Sequence, residues 1–203
     1  MIPNRLVLAF DVGTRNLGVC LLNDYVGDVV KKKAAAVKEP PTMVVWKTFD
    51  LYEVEAKSKG ETAHRLALRL HAFLDALDTM CTPFVSSIWS RLKLVGIESQ
   101  AVSTAVMKRL ESYLLSYFLL RCPHLQSGKV KVISASAKLK INGMRHQKLK
   151  TYADRKVMAI SYMQQYMSLQ NDADDDEPAK LARSDADRCD AALLALSMTK
   201  FSF

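Results

Sequence analysis

An α/β domain built on a five-stranded mixed sheet flanked by helices is what the sequence predicts, on three observations. Short apolar runs rich in Val, Ile, Leu and Phe occur five times. Longer segments with apolar residues at helical spacing lie between and after them. The first three runs follow one another directly, whereas the fourth and fifth each come after a helical segment, which gives antiparallel pairing early and crossover connections later. There is no internal repeat, and 203 residues fit a single domain, 1–203.

Leu6–Phe10 is the first strand, and it stops at Asp11 in the turn Asp11-Val-Gly-Thr. Leu17–Leu22 resumes the apolar pattern and reads as the second arm of a hairpin. Residues 23–42, with Gly27, three lysines and Pro40-Pro41, form an exposed insertion before a third strand over Met43–Leu51. Leu66, Leu70, Phe73, Leu74 and Leu77 mark an amphipathic helix that ends before Pro83. Lys93–Ile97 is the fourth strand and Glu98 its last residue. A helix over 101–121 follows, apolar around so wide an arc that it must be covered on two sides. Lys129–Ile133 is the fifth strand. Thr151 with Asp154 is a capping box that opens a helix to about Leu169, and Ser184 with Asp187 is a second candidate box for a last helix through Met198. An acidic insertion, 171–183, separates these two helices.

Composition narrows the function. With 49% apolar and 25% charged residues the chain is an ordinary globular one. Its densest apolar run, Tyr113–Leu120, is too short for the ~20 residues that a bilayer requires, so no membrane partner is expected. The scattered cysteines Cys20, Cys81, Cys122 and Cys189 read as buried thiols in a reducing compartment. No targeting segment precedes the first strand. A viral or cytoplasmic setting is therefore expected, and a mitochondrial one only for a trimmed chain. The net charge of +8 is concentrated: residues 129–156 hold nine basic side chains and one acidic. Lys129, Lys131, Lys138, Lys140, Arg145, Lys148, Lys150, Arg155 and Lys156 suit a polyanion, because each neutralised phosphate releases counterions. A solvated surface is the plain alternative.

Acidic residues stand where the chain buries itself. Asp11 and Glu98 end apolar strands, while Asp187 and Asp190 share nearly one face of a helix that continues as Ala191–Leu196. Carboxylates pinned there are costly unless neutralised. Mg²⁺, which takes hard oxygen ligands, neutralises them and serves phosphodiester chemistry. Each residue also has an ordinary reading. Asp11 suits a turn cap, Glu98 a strand end at the surface, and Asp187 or Asp185 a helix cap.

Asp11-Val-Gly-Thr-Arg-Asn-Leu-Gly18, Ile97-Glu-Ser-Gln100 and Asp187-Arg-Cys-Asp-Ala-Ala-Leu193 resemble the three signature segments of RuvC-type Holliday-junction resolvases, which have the RNase H-like fold. Glu-x-Gln and the basic stretch Tyr152–Lys156 look most like the poxviral and mitochondrial branch. The resemblance implies a homodimeric, Mg²⁺-dependent endonuclease that nicks opposed strands of a four-way DNA junction in recombination, replication or repair. Mn²⁺ is expected to substitute, and two ions per site are expected. It implies Asp11, Glu98, Asp187 and Asp190 as metal ligands, with Lys156 joining them in catalysis. It also implies Gln100, Lys138, Lys140, Arg145, Lys148, Lys150 and Arg155 as DNA contacts. Asp185 precedes Asp187, so which of the two pairs with Asp190 stays open. An RNase H-like or YqgF-type nuclease acting on RNA, and a silent DNA-binding module, are the rival readings.

A junction with two-fold symmetry asks for two chains. The second side of helix 101–121, among Met107, Leu110, Leu114, Tyr117 and Phe118, is the expected contact, with cover by another helix of the same chain as the plain alternative.

Overall fold

Alternation along β1 (Arg5–Asp11) sets the architecture. Leu6, Leu8 and Phe10 fall in one core and Val7 and Ala9 in another, because successive side chains of a strand point to opposite faces. The computed structural model describes residues 5–13, 16–24, 40–51, 63–80, 87–101, 103–125, 128–136, 151–170 and 180–199. Around β1 stand β2 (Leu17–Asp24), β3 (Thr42–Phe49), β4 (Leu92–Glu98) and β5 (Val130–Ile133), in the order β3-β2-β1-β4-β5. β1, β2 and β3 pair antiparallel, and β1, β4 and β5 parallel. The mixed five-stranded sheet is therefore as expected.

Among the described residues, two helices cover each face. α1 (Ala63–Met80) and α2 (Ala105–Arg121) pack on the side of Leu8 and Phe10, through Leu66, Leu70, Leu110, Leu114 and Phe118. α3 (Tyr152–Gln170) and α4 (Ala186–Ser197) pack on the other, where Met163, Tyr166 and Ala191–Leu196 meet Val7, Ala9 and Cys20. The Tyr166 hydroxyl donates to the Pro41 carbonyl and ties α3 to the start of β3. α4 presses onto β2 so closely that a Cβ at Gly18 would stand 2.3 Å from the Asp187 carbonyl oxygen. Only glycine permits that approach.

The expected box at Thr151 forms. Its amide donates to Asp154 Oδ2 (3.0 Å) and the Asp154 amide to Thr151 Oγ1 (3.1 Å), which fixes the first turn of α3. The box expected at Ser184 does not. A 3₁₀ turn over Arg183–Asp185 precedes α4, and the Ala182 amide donates to Asp185 Oδ2 (2.8 Å) instead. The start of this segment thus lies two residues earlier, and Asp187 is released from capping.

A second correction concerns α2, which begins at Ala105 rather than 101. Leu110, Leu114, Tyr117 and Phe118 are all buried in the chain's own core, so they are spoken for. The large apolar side chains of α2 left exposed are Val106, Leu119 and Leu120.

No helix among the described residues is long and apolar enough to cross a membrane. Lys138, Lys140, Arg145, Lys148 and Lys150 lie outside the described residues, as do most of the insertions 23–42 and 171–183.

Candidate active site

Strand parity places the first two carboxylates. Asp11 follows Val7 and Ala9 at two-residue steps and so faces α3 and α4. On β4, Val95 and Ile97 belong to the α1–α2 core, which turns Glu98 to the same side as Asp11. The strands run parallel with Phe10 beside Ile97, so Asp11 and Glu98 are the next pair along. The two sit side by side at the carboxyl ends of adjacent parallel strands, where α/β sheets open into a crevice.

α4 supplies the others. Gly18 lies opposite Asp11 on β2 and admits the first turn of α4. Asp187 and Asp190, three apart, then project toward Asp11. One carboxylate oxygen from each of Asp11, Asp187 and Asp190 lies within 4.8 Å of the others. Glu98 is not one of that trio but lines the same cavity, about 420 Å³ in volume. Asp185 stands apart, with its oxygens on the Ala182 amide and, at 2.9 Å, on Arg188. Of the two candidates, Asp187 is therefore the one beside Asp190.

Lys156 fills the middle of the trio. Its Nζ donates to Asp190 Oδ2 at 2.5 Å and Asp187 Oδ1 at 2.6 Å, and lies 3.7 Å from Asp11 Oδ2. Burial alone would pull this ammonium's pKa down. The charges of Asp190 and Asp11, with hydrogen bonds to Asp187 and Asp190, outweigh it and hold the pKa above the ordinary lysine value. Among the described residues the donor set is all hard carboxylate oxygen, without thiolate or imidazole, and it already stabilises a positive charge. Both features fit Mg²⁺ or Mn²⁺.

Gln100 and Arg155, expected to touch DNA, both line the cavity. Gln100 is tied down, its Nε2 donating to the Glu98 carbonyl at 3.2 Å.

Two contributors escaped the sequence reading. Glu111 is buried on α2, accepts the Gln100 amide at 2.7 Å and pairs with Lys108 at 2.6 Å, so it anchors the chain just beyond Glu98. Its signal was a charged residue beside Leu110 and Leu114 on the core face. Tyr152 lines the cavity from the first turn of α3, and nothing in the pattern set it apart from a core aromatic.

No family model and no curated protein matches the sequence. Solved structures do match. The yeast mitochondrial Holliday junction resolvase Ydc2 is 14% identical, with a TM-score of 0.55 over 97% of this chain and 79% of that one. The Fowlpox virus resolvase, solved in complex with substrate Holliday junction DNA, is 17% identical, with a TM-score of 0.53 over 95% of each chain. RuvC of Thermus thermophilus is 16% identical, with a TM-score of 0.50 over 95% of this chain and 92% of that one. At these identities the likeness is one of fold. The five-stranded mixed sheet with flanking helices is the RuvC/RNase H-like fold.

Proposed function

We propose that residues 1–203 form a single nuclease domain, a metal-dependent endonuclease that resolves four-way DNA junctions by paired symmetric nicks and acts as a homodimer. The observation that carries this reading is the convergence of Asp11, Asp187 and Asp190, beside Glu98, in one cavity of a resolvase-like fold.

We assign Asp11, Asp187 and Asp190 as metal ligands, with Glu98 as a fourth. Mg²⁺ bound there, as two ions with Mn²⁺ as substitute, supplies Lewis-acid stabilisation of charge on the phosphoryl oxygens and activates water. Lys156 brings its ammonium into the same space from α3 and donates to the oxygens of the scissile phosphate. Arg155, exposed one residue earlier, holds a neighbouring phosphate. Gln100 contacts DNA at the cavity edge, and Lys138, Lys140, Arg145, Lys148 and Lys150 extend the basic track. The exposed apolar side chains at the end of α2, Leu119 and Leu120, support a two-fold contact. The buried free thiols Cys20, Cys122 and Cys189 favour a reducing setting, viral or cytoplasmic.

The test is cleavage of a synthetic four-way junction, a linear duplex and an RNA–DNA hybrid with Mg²⁺ or chelator. Symmetric, Mg²⁺-dependent nicks in the junction alone are expected. Cleavage of the hybrid instead would mean an RNA-directed nuclease, and binding without cleavage under all metals a silent module.

A further inference from the structure

We infer that Tyr152 is a base-stacking subsite: it holds one unstacked nucleobase of the strand whose phosphate enters the acidic cavity. The inference rests on the nuclease reading above and adds the part of the substrate that the carboxylates do not recognise.

The side chain is unusual for this chain. Tyr152 is 65% exposed, and among the described residues it is the one aromatic in the set of exposed large apolar side chains. A single exposed side chain is ordinary by itself; what distinguishes this one is its position. Its place gives the partner. Tyr152 lines the same cavity as Asp11, Glu98, Asp187 and Asp190. Its ring centroid is 5.4 Å from Lys156 Nζ, which itself touches Asp187 and Asp190. With bases ~3.4 Å apart along a strand, the ring stands within a base step or two of a phosphate at the carboxylates.

The surroundings select a nucleotide over other aromatic-binding ligands. The Arg155 guanidinium lies 5.8 Å from the ring centroid. Arg155 and Lys156 follow Tyr152 at three and four positions, so all three share one face of α3. Both cations lie over the ring, so a base stacks on the π-surface they leave while they hold its flanking phosphates. Reaction of a peptide or lipid at the acidic trio has no such complement. The capping box at Thr151 and Asp154 fixes the backbone of the turn from which ring and cations project. Bases in a continuous duplex are stacked on each other, whereas those at a branch point unstack at lower cost. Tyr152 therefore favours branched over linear DNA.

The experiment places 2-aminopurine at each position flanking the cut in a four-way junction and follows its fluorescence on binding, in an Asp190→Asn background that does not cut. One flanking position should change fluorescence strongly. Tyr152→Ala should abolish that change and weaken junction binding roughly tenfold or more, while Tyr152→Phe keeps both. Because the residue is exposed, circular dichroism should show all variants folded. An unchanged signal and affinity in Tyr152→Ala would overturn the inference while leaving the nuclease reading intact. Failure of the parent chain to bind or cut junctions would overturn both.

Discussion

Lys156→Met tests the electrostatics of the cavity directly. The lysine side chain is 11% exposed, and the carboxylates around it, Asp11, Asp187 and Asp190, are 14%, 20% and 6% exposed. Methionine keeps the aliphatic stem and deletes a cation that lies against all three. Removing one partner from a buried ion cluster costs ~3–5 kcal/mol, and the partial exposure of Asp187 favours the lower end, ~3 kcal/mol. For a domain of this size each kcal/mol moves the melting temperature by about 2–4 °C. A fall of roughly 6–12 °C at pH 7 in chelator is therefore expected, measured by calorimetry or circular dichroism. The sign with pH follows from the raised Lys156 pKa. Its contribution is fully present below the unfolded lysine value of ~10.4 and fades as pH climbs toward the folded one. The wild-type advantage should thus stay level from pH 7 to 9 and shrink in stronger alkali. Millimolar Mg²⁺ should raise the variant more than the wild type, since a ligand at 100 times its Kd adds ~2.7 kcal/mol. A variant within about 2 °C of wild type in chelator would refute the reasoning.

Asp190→Asn should lose at least a hundredfold in junction cleavage while binding junctions as tightly as wild type or tighter, by gel shift; Asp185→Asn, outside the trio, should cut normally. Gly18→Ala drives a methyl group toward the Asp187 carbonyl, so overpacking of ~1–3 kcal/mol should appear as a lower melting temperature together with slower cleavage. Leu120→Glu, on a side chain 81% exposed, should leave the melting temperature of the monomer unchanged and shift sedimentation from dimer to monomer. Dimers that persist in this variant would move the contact elsewhere.

Much of the site was legible because strand parity and apolar runs are local properties. Asp11 and Glu98 each end a run, and two-residue alternation turns both toward α4. The box at Thr151 was equally local, since its donors and acceptors lie three residues apart. What failed depended on neighbours far along the chain. The wide apolar arc of α2 could not be divided before the sheet and α1 chose Leu110, Leu114, Tyr117 and Phe118. The cap before α4 moved to Asp185 because Asp187 is drawn to Lys156, a competition between side chains 31 residues apart. Glu111 went unmarked because its partners, the Gln100 amide and Lys108, give it a role only once the chain is folded.

The docking of α4 against Gly18 also sets a timetable. Asp11 and Glu98 leave the ribosome early, but the face they share remains half-built until α4 has been translated and swung back across β2. At ~5–20 residues per second the interval from β1 to α4 is roughly ten to forty seconds. Once β5 is out, the nascent chain carries all five strands with no complete set of carboxylates. The acidic cavity is thus completed in a single late step, with the closing of α4.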